Sequence, residues 1–535
     1  MAETGHELKV VSDEGNDLGK LPLEEEPVRQ WSVDRKWTTT QAELWAYYVY
    51  YIGDNGVAGI SFGPSQFQNL LYLAGWDQAD PTGNTPCIGN AVCVLRFAGS
   101  IRDVNSIVLI TVGMAFAVQT VMFLFIGAWA DYGTWRPNIL TAFTVAAVAG
   151  CFGWLGVADA SKWQAAVGLY MLGLLTYQGT ITFWTAAFPA LARNLPHVQD
   201  ERAKLASGDV TREEYELTES LARNMVQNIA FAIQSAGELV ILAIMVGILK
   251  GLRSDESIEN NTWAFSVLIA FAGGVWLLCA LPWFFLEKKR PGNVLPPSAS
   301  MVTIGLVQTY ITFRQCLKLK QAFLYLIFYF LMGDALNTTL TVVGTLQNEL
   351  VSYSTLQLTY LLIVGIFTQL VGIYAFWSVQ KRFKLSTKTM LIFNCIWIIV
   401  MALWGLIGVW TPNFGFKNVW EIWAWQAYYG LMVCPWWAYS MTFVSEVIPH
   451  GKEFLFYALF SIIGKTSSFI GPFVTSAIID RANGNNNMAF TFLFALTLVS
   501  VLILFVIDVP KGKRECEAFL QAEAELEGLA VKNGN

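Results

Sequence analysis

Twelve apolar runs, each long enough for a helix to cross a bilayer, constrain this chain more than any other feature. A hydrocarbon core needs roughly 20 apolar residues per helix. Runs of that length, ended by charges or turn residues, fall at about 41–62, 106–130, 138–158, 163–189, 223–249, 262–286, 320–345, 356–380, 387–410, 419–444, 453–478 and 487–508. Inside lipid only helices and closed barrels satisfy every backbone N–H and C=O. The predicted fold class is therefore an all-α membrane protein of twelve transmembrane helices. Composition agrees: the 535 residues are 55% hydrophobic and 14% charged, against about 25% charged in soluble domains. A soluble enzyme, a disordered chain and a nucleic-acid binder are excluded together, and a net charge of −6 offers nothing to a phosphate backbone. The 8 Cys form no CxxC pair and there are only 3 His, so neither a metal site nor a cofactor is expected. There is no P-loop, GxSxG, HExxH or glycine-rich phosphate cradle.

Residues 1–36, rich in Glu, Asp and Lys, are expected to be a disordered tail, without the apolar stretch of a signal peptide. The tail 509–535 is expected to be frayed and polar rather than a short amphipathic surface helix. Orientation follows from the Lys and Arg count on each side. An even number of spans places both termini together, and that side collects nine basic residues from the tails and seventeen from loops. The opposite side holds seven, with Lys465 inside a span. The termini are expected in the cytosol. Cys87 and Cys93 both fall in the non-cytosolic segment 63–105, where an oxidising compartment allows either a bridge or two free thiols. Asn260-Asn261-Thr262 is a glycosylation sequon in the non-cytosolic loop 250–261. The sequon at Asn337 lies inside a span, out of reach.

The longest cytosolic loop, 287–319, divides the chain into a six-helix bundle at 37–286 and another at 320–508. Internal similarity supports duplication. Gly53-Asp54 in span one recurs as Gly333-Asp334 in span seven, at an offset of 280 and after aromatic-rich helix in both copies. Each Asp lies about 13 residues into its span, roughly 19 Å at 1.5 Å per residue, near the bilayer midplane.

This plan resembles the major facilitator superfamily. The loop Gly127-Ala128-Trp129-Ala130-Asp131-Tyr132-Gly133-Thr134-Trp135-Arg136-Pro137 is similar to its G-x-x-x-D-x-x-G motif. That resemblance implies that Asp131 and Arg136 latch the cytosolic gate. The usual adjacent basic pair is reduced to Arg136, so a weaker latch is expected. A closer resemblance is to the autophagy-related vacuolar amino-acid effluxer family. It rests on CPWWAYSMTFVSEVIPHGKEFLFYALFSIIGKTSSFIGP at 434–472, on Ala187-Phe188-Pro189-Ala190-Leu191-Ala192-Arg193-Asn194-Leu195-Pro196, and on Asp334-Ala335-Leu336-Asn337-Thr338. Span five (QNIAFAIQSAGELV) and the DNGVAG of span one depart from the family's pattern, in helices that touch substrate in the superfamily.

Charged side chains at membrane depth cost several kcal/mol unless paired or facing water, and four stand near the midplane: Asp54, Glu238, Asp334 and Lys465. In the superfamily's arrangement span one packs beside span five, and span seven beside span eleven. The resemblance therefore implies that Asp54 meets Glu238, two carboxylates sharing one proton. It also implies that Asp334 meets Lys465, either as a permanent ion pair or as one that opens to hold a zwitterion. Asn55, Gln178, Trp184, Gln234, Asn337 and Trp437 are candidate cavity residues beside these charges. The reading is a monomeric secondary active transporter working by alternating access, with a small-molecule substrate, protons and membrane lipid as partners. The resemblance implies amino-acid export from the vacuole to the cytosol. A plasma-membrane carrier of another small zwitterion, cation or metabolite, and a non-transporting nutrient receptor, stay open at this point.

Overall fold

Because lipid offers no partner for a backbone amide, each apolar run must close its hydrogen bonds within its own helix. The computed structural model describes residues 35–80, 82–87, 92–126, 135–290, 304–449, 456, 459–460, 463–464 and 467–533, most of them helical. A first group holds α1 (Gln41–Gly53), α2 (Gly63–Ala74), the antiparallel strands β1 (Trp76–Asp77), β2 (Cys93–Phe97) and β3 (Ser100–Asp103), and α3 (Val104–Ile126). It continues with α4 (Arg136–Gly153), α5 (Trp163–Thr185), α6 (Phe188–Arg193), α7 (Pro196–Ser207), α8 (Arg212–Gly251) and α9 (Ile258–Leu286). Helix α10 (Ile304–Lys318) leads to a second group: α11 (Lys320–Leu350), α12 (Thr355–Phe383), α13 (Thr387–Ile407), α14 (Val419–Tyr428) and α15 (Pro435–Val447). After these come α16 (Ile470–Arg481), α17 (Ala489–Val506) and α18 (Val509–Asn533).

Among the described residues eight helices are long and apolar enough to cross a membrane: α3, α4, α8, α9, α11, α12, α13 and α17. The other four expected spans are built differently. The first is broken between α1 and α2, and the fourth, α5, carries Thr176, Gln178, Thr180 and Thr182. The tenth is divided between α14 and α15 by a π-helical turn, Tyr429–Val433, just before Pro435. The eleventh lies partly outside the described residues and resumes with the 3-10 turn Ser467–Phe469 and α16.

The two groups repeat one neighbour pattern, as duplication requires. In the first, α1 packs on α8 and α9, and α4 on α5 and α9; in the second, α11 packs on α16 and α17, and α13 on α15 and α17. Two sequence expectations change. Helix α2 extends the first span to Ala74, so the segment expected at 63–105 shrinks to the small sheet and its loops. The tail after Asp508 is a helix and not a frayed coil: Gly512 and Cys516 face inward, and Gln321 N donates to Glu515 Oε2 at 3.0 Å. Packing against α11 and α15 supplies the apolar contact that its polar sequence alone does not advertise.

The strands mark one end of the helix array, the sheet end; α10 and the start of α18 mark the other, the linker end. Among the described residues, hydrogen bonds and an ion pair join the two groups at the sheet end. There α3 packs on α16, α8 on α12 and α2 on α11.

Candidate functional site

Helix α1 stops at Gly53 because the next three residues turn the chain out of helical register. The Asn55 side chain accepts from Val57 N and donates to Ile52 O, both at 3.0 Å. Gly56 takes φ +83°, a left-handed conformation open to glycine. A π-helical turn, Val57–Phe62, then restarts the span before Pro64. Asp54 stands at this break, fully buried. Its Oδ1 accepts from Thr180 Oγ1 of α5 at 3.1 Å, while its Oδ2 is buried with no hydrogen-bond partner among the described residues.

Glu238 is on α8, beside α1 as expected, and its Oε2 accepts from Gln234 Nε2 at 2.6 Å. Among the described residues no hydrogen bond joins Asp54 to Glu238. Gln178 is half-buried on α5. Trp184 is fully buried, stacked on Tyr47 at 4.4 Å and Tyr51 at 4.2 Å, with its indole N–H donating to Tyr47 O.

Asp334 occupies the matching depth of α11 and is held otherwise. Its Oδ1 accepts from Gly471 N at 3.0 Å and Thr338 Oγ1 at 3.4 Å. It thus faces the first turn of α16, where unpaired N–H groups favour an anion. A Cβ on Gly471 would sit 2.8 Å from that oxygen, so the close approach requires glycine. Asn337 Nδ2 donates to Ser468 Oγ at 2.7 Å, tying α11 to the 3-10 turn just before α16. Trp437 is 39% exposed and donates to Tyr429 Oη at 3.3 Å, whereas Trp436 is buried against Tyr329. Lys465 and Asp131 lie outside the described residues.

At the linker end Arg136 pairs with Glu287 at 2.6 Å and donates to Ala186 O at 3.2 Å. Burial pushes the Glu287 carboxyl up to about 7 against the opposing pull of Arg136. Nearby, Arg290 forks onto both oxygens of the buried Glu43, at 2.6 and 2.8 Å. Sequence reading missed Glu287, Glu43, Thr180 and Gly471. Glu287 was legible as an acidic residue at a span end next to the basic run 288–290, and Glu43 as an acidic residue at the start of the first span. A backbone N–H such as that of Gly471 leaves no signal in sequence.

At the sheet end Cys87 and Cys93 form a disulfide. Asn260 is half-exposed in the first turn of α9, its Nδ2 donating to Arg253 O at 3.3 Å. Among the described residues no group of three His, Cys, Asp or Glu side chains could hold a metal ion. An open depression of about 590 Å³, lined by Lys388, Glu446 and Asp508 among others, lies at the linker end and contains none of the candidate site residues.

A family model described as vacuole effluxer Atg22 like matches residues 39–517. The chain is 24% identical to autophagy-related protein 22-1 of Phaeosphaeria nodorum over 92% of its own length and 94% of that protein's. Its fold is similar to the inward-open xylose transporter XylE of E. coli, with TM-score 0.55 and 13% identity over 89% of this chain and 98% of that one. It is also similar to a POT family transporter in complex with 5-aminolevulinic acid, with TM-score 0.54 and 12% identity over 88% and 96% of the two chains.

Proposed function

The chain belongs to the vacuole effluxer Atg22-like family, and from that premise we propose that it exports amino acids from the vacuole to the cytosol by alternating access, coupled to protons. Fold and family are those of a membrane transporter, not an enzyme. The observation that carries the proposal is Asp54, a buried carboxylate at a break in the first span with one oxygen unpartnered among the described residues. Such an oxygen is costly to leave alone at membrane depth, and a proton or a substrate ammonium would satisfy it. Asp334 and Lys465 give the second bundle, 320–508, one group of each sign for a zwitterion. The solved POT transporter holds a ligand of that kind, an amine and a carboxylate in one small molecule. The Lys and Arg asymmetry supports cytosolic termini, which puts the linker end in the cytosol and the sheet end in the lumen.

The test is uptake by purified protein in proteoliposomes against a panel of amino acids, with and without a pH gradient. The wild type should accumulate amino acid only with the gradient. Asp54→Asn should lose accumulation and keep part of substrate exchange. No flux of any amino acid would end the substrate reading, and wild-type accumulation in Asp54→Asn would end the proton-carrier role.

A further inference from the structure

The sheet end is where the two groups close on each other, and its centre is acidic. Asp103, the last residue of β3, is buried at the foot of α3, with Oδ1 accepting from Asn105 N at 2.8 Å and Ser106 N at 3.3 Å. Two further carboxylates reach it from the second group. Asp480 of α16 accepts from Asp103 N at 3.4 Å and pairs with Arg102 at 2.7 Å. Glu349, at the end of α11, accepts from Asn105 Nδ2 at 2.5 Å and Asn486 Nδ2 at 3.4 Å, and one side of it is exposed. Arg102 is committed to Asp480, and Lys417, from the loop before α14, acts on Glu349 and Glu421. The neutral Tyr72 and Tyr353 complete the surroundings. Three carboxylates thus converge from both groups, and no cation is paired with Asp103 among the described residues.

We propose that this seal is a proton-operated latch: the two groups close at the sheet end when Asp103 carries a proton, and separate there when it does not. The proposal rests on the alternating-access reading above, because only a protein that opens at this end separates Asp103 from Glu349 and Asp480. In the closed arrangement burial first, then the Glu349 carboxylate and to a smaller degree Asp480, push the Asp103 carboxyl up to about 8 against the N–H groups of Asn105 and Ser106. Opening carries Glu349 and Asp480 away with the second group and wets Asp103, returning it toward an ordinary value of about 4. The closed state then binds the proton more tightly than the open state. The advantage of closure is complete below about 4 and is lost as pH rises through about 8, with up to about tenfold in the closed-to-open ratio per pH unit between. On the proposed orientation this end faces the acidic vacuole lumen, so luminal acid would drive the transporter toward its cytosol-open state.

Spin labels at Ile101→Cys and Trp410→Cys, exposed positions of the two groups at this end, report the separation by pulsed electron resonance in the purified full chain. Between pH 8 and pH 6 the closed fraction relative to the open one should rise about tenfold or more. Asp103→Asn, which mimics the protonated form, should stay closed throughout. Glu349→Gln, at a more exposed site, should move the midpoint down by about one pH unit. Gly484→Ala is a wedge: at φ +80° its Cβ would meet Val92 and come within 2.9 Å of Asp103 Oδ2. It should raise the open fraction at every pH and keep the slope. A wild type that is closed, or unmoved, across this range overturns the latch, as does an unshifted midpoint in Glu349→Gln. No substrate is present, so failure of the amino-acid reading cannot be mistaken for failure of the latch.

Discussion

Asp54 and Asp334 share a dipeptide and a depth, yet their carboxylates are held in opposite ways. A helix start supplies the Gly471 N–H to Asp334, whereas Asp54 has one hydroxyl and, among the described residues, one bare oxygen. Their positions were legible because lipid penalises charge, so any Asp inside an apolar run stands out. Their partners were not, because those come from α5 and α16, 126 and 137 residues away. The same limit explains Trp184, which by composition and depth reads as a ligand and by contact is a stacked core residue. If it only packs, Trp184→Ala should cost about 3–5 kcal/mol, seen as a lower thermal midpoint. Trp184→Phe should recover most of that loss together with wild-type transport affinity. A Phe variant of wild-type stability that no longer binds substrate would return Trp184 to the site.

At the scale of elements, the apolar runs located the long helices, while their ends and breaks depended on single hydrogen bonds. The break after Gly53 needs Asn55 to cap two backbone groups and Gly56 to take a positive φ, and a hydropathy run is blind to both. Helix α18 eluded the pattern because its apolar positions are few and meet their partners only in the fold. The root of the linker shows how charge is spent at an element boundary. Arg290 also donates to Trp37 O and Thr39 Oγ1, so one guanidinium joins the approach to α1 with the exit from α9. With side chains 8% and 0% exposed, the Arg290–Glu43 pair is buried. Arg290→Met should strand a buried carboxylate and cost about 3–5 kcal/mol. Adding Glu43→Gln should restore most of the thermal midpoint, since the stranded charge, not the missing attraction, carries the loss. A double variant no more stable than the single one would show that the backbone contacts of Arg290 matter more than its partner.

Across the whole molecule, the repeated neighbour pattern and the polar contacts that join the two groups at the sheet end belong to one mechanical reading. On the proposed alternating-access reading, a structure whose two groups meet at the sheet end, through Gln68 and Asn348, Ser65 and Asn348, Asn261 and Thr355, Arg102 and Asp480, is the state closed at that end. To release that contact costs several hydrogen bonds at about 1 kcal/mol each. Ser106 of α3 and Ser476 of α16 mark the joint closely: both are buried, and their hydroxyl oxygens are 2.6 Å apart. Cysteines there can approach the 2.05 Å of a sulfur–sulfur bond with little backbone movement. The pair Ser106→Cys with Ser476→Cys should therefore cross-link under mild oxidant, stop transport, and recover on reduction, while each single variant transports throughout. The native Cys87–Cys93 bridge lies within one loop of the first group and cannot mimic the effect. Reduction must restore flux on the timescale of thiol exchange, because the lock is covalent and the fold beneath it is unchanged. Transport at the wild-type rate through a fully cross-linked protein would mean that substrate moves without the groups parting at the sheet end, and alternating access about this joint would have to be abandoned.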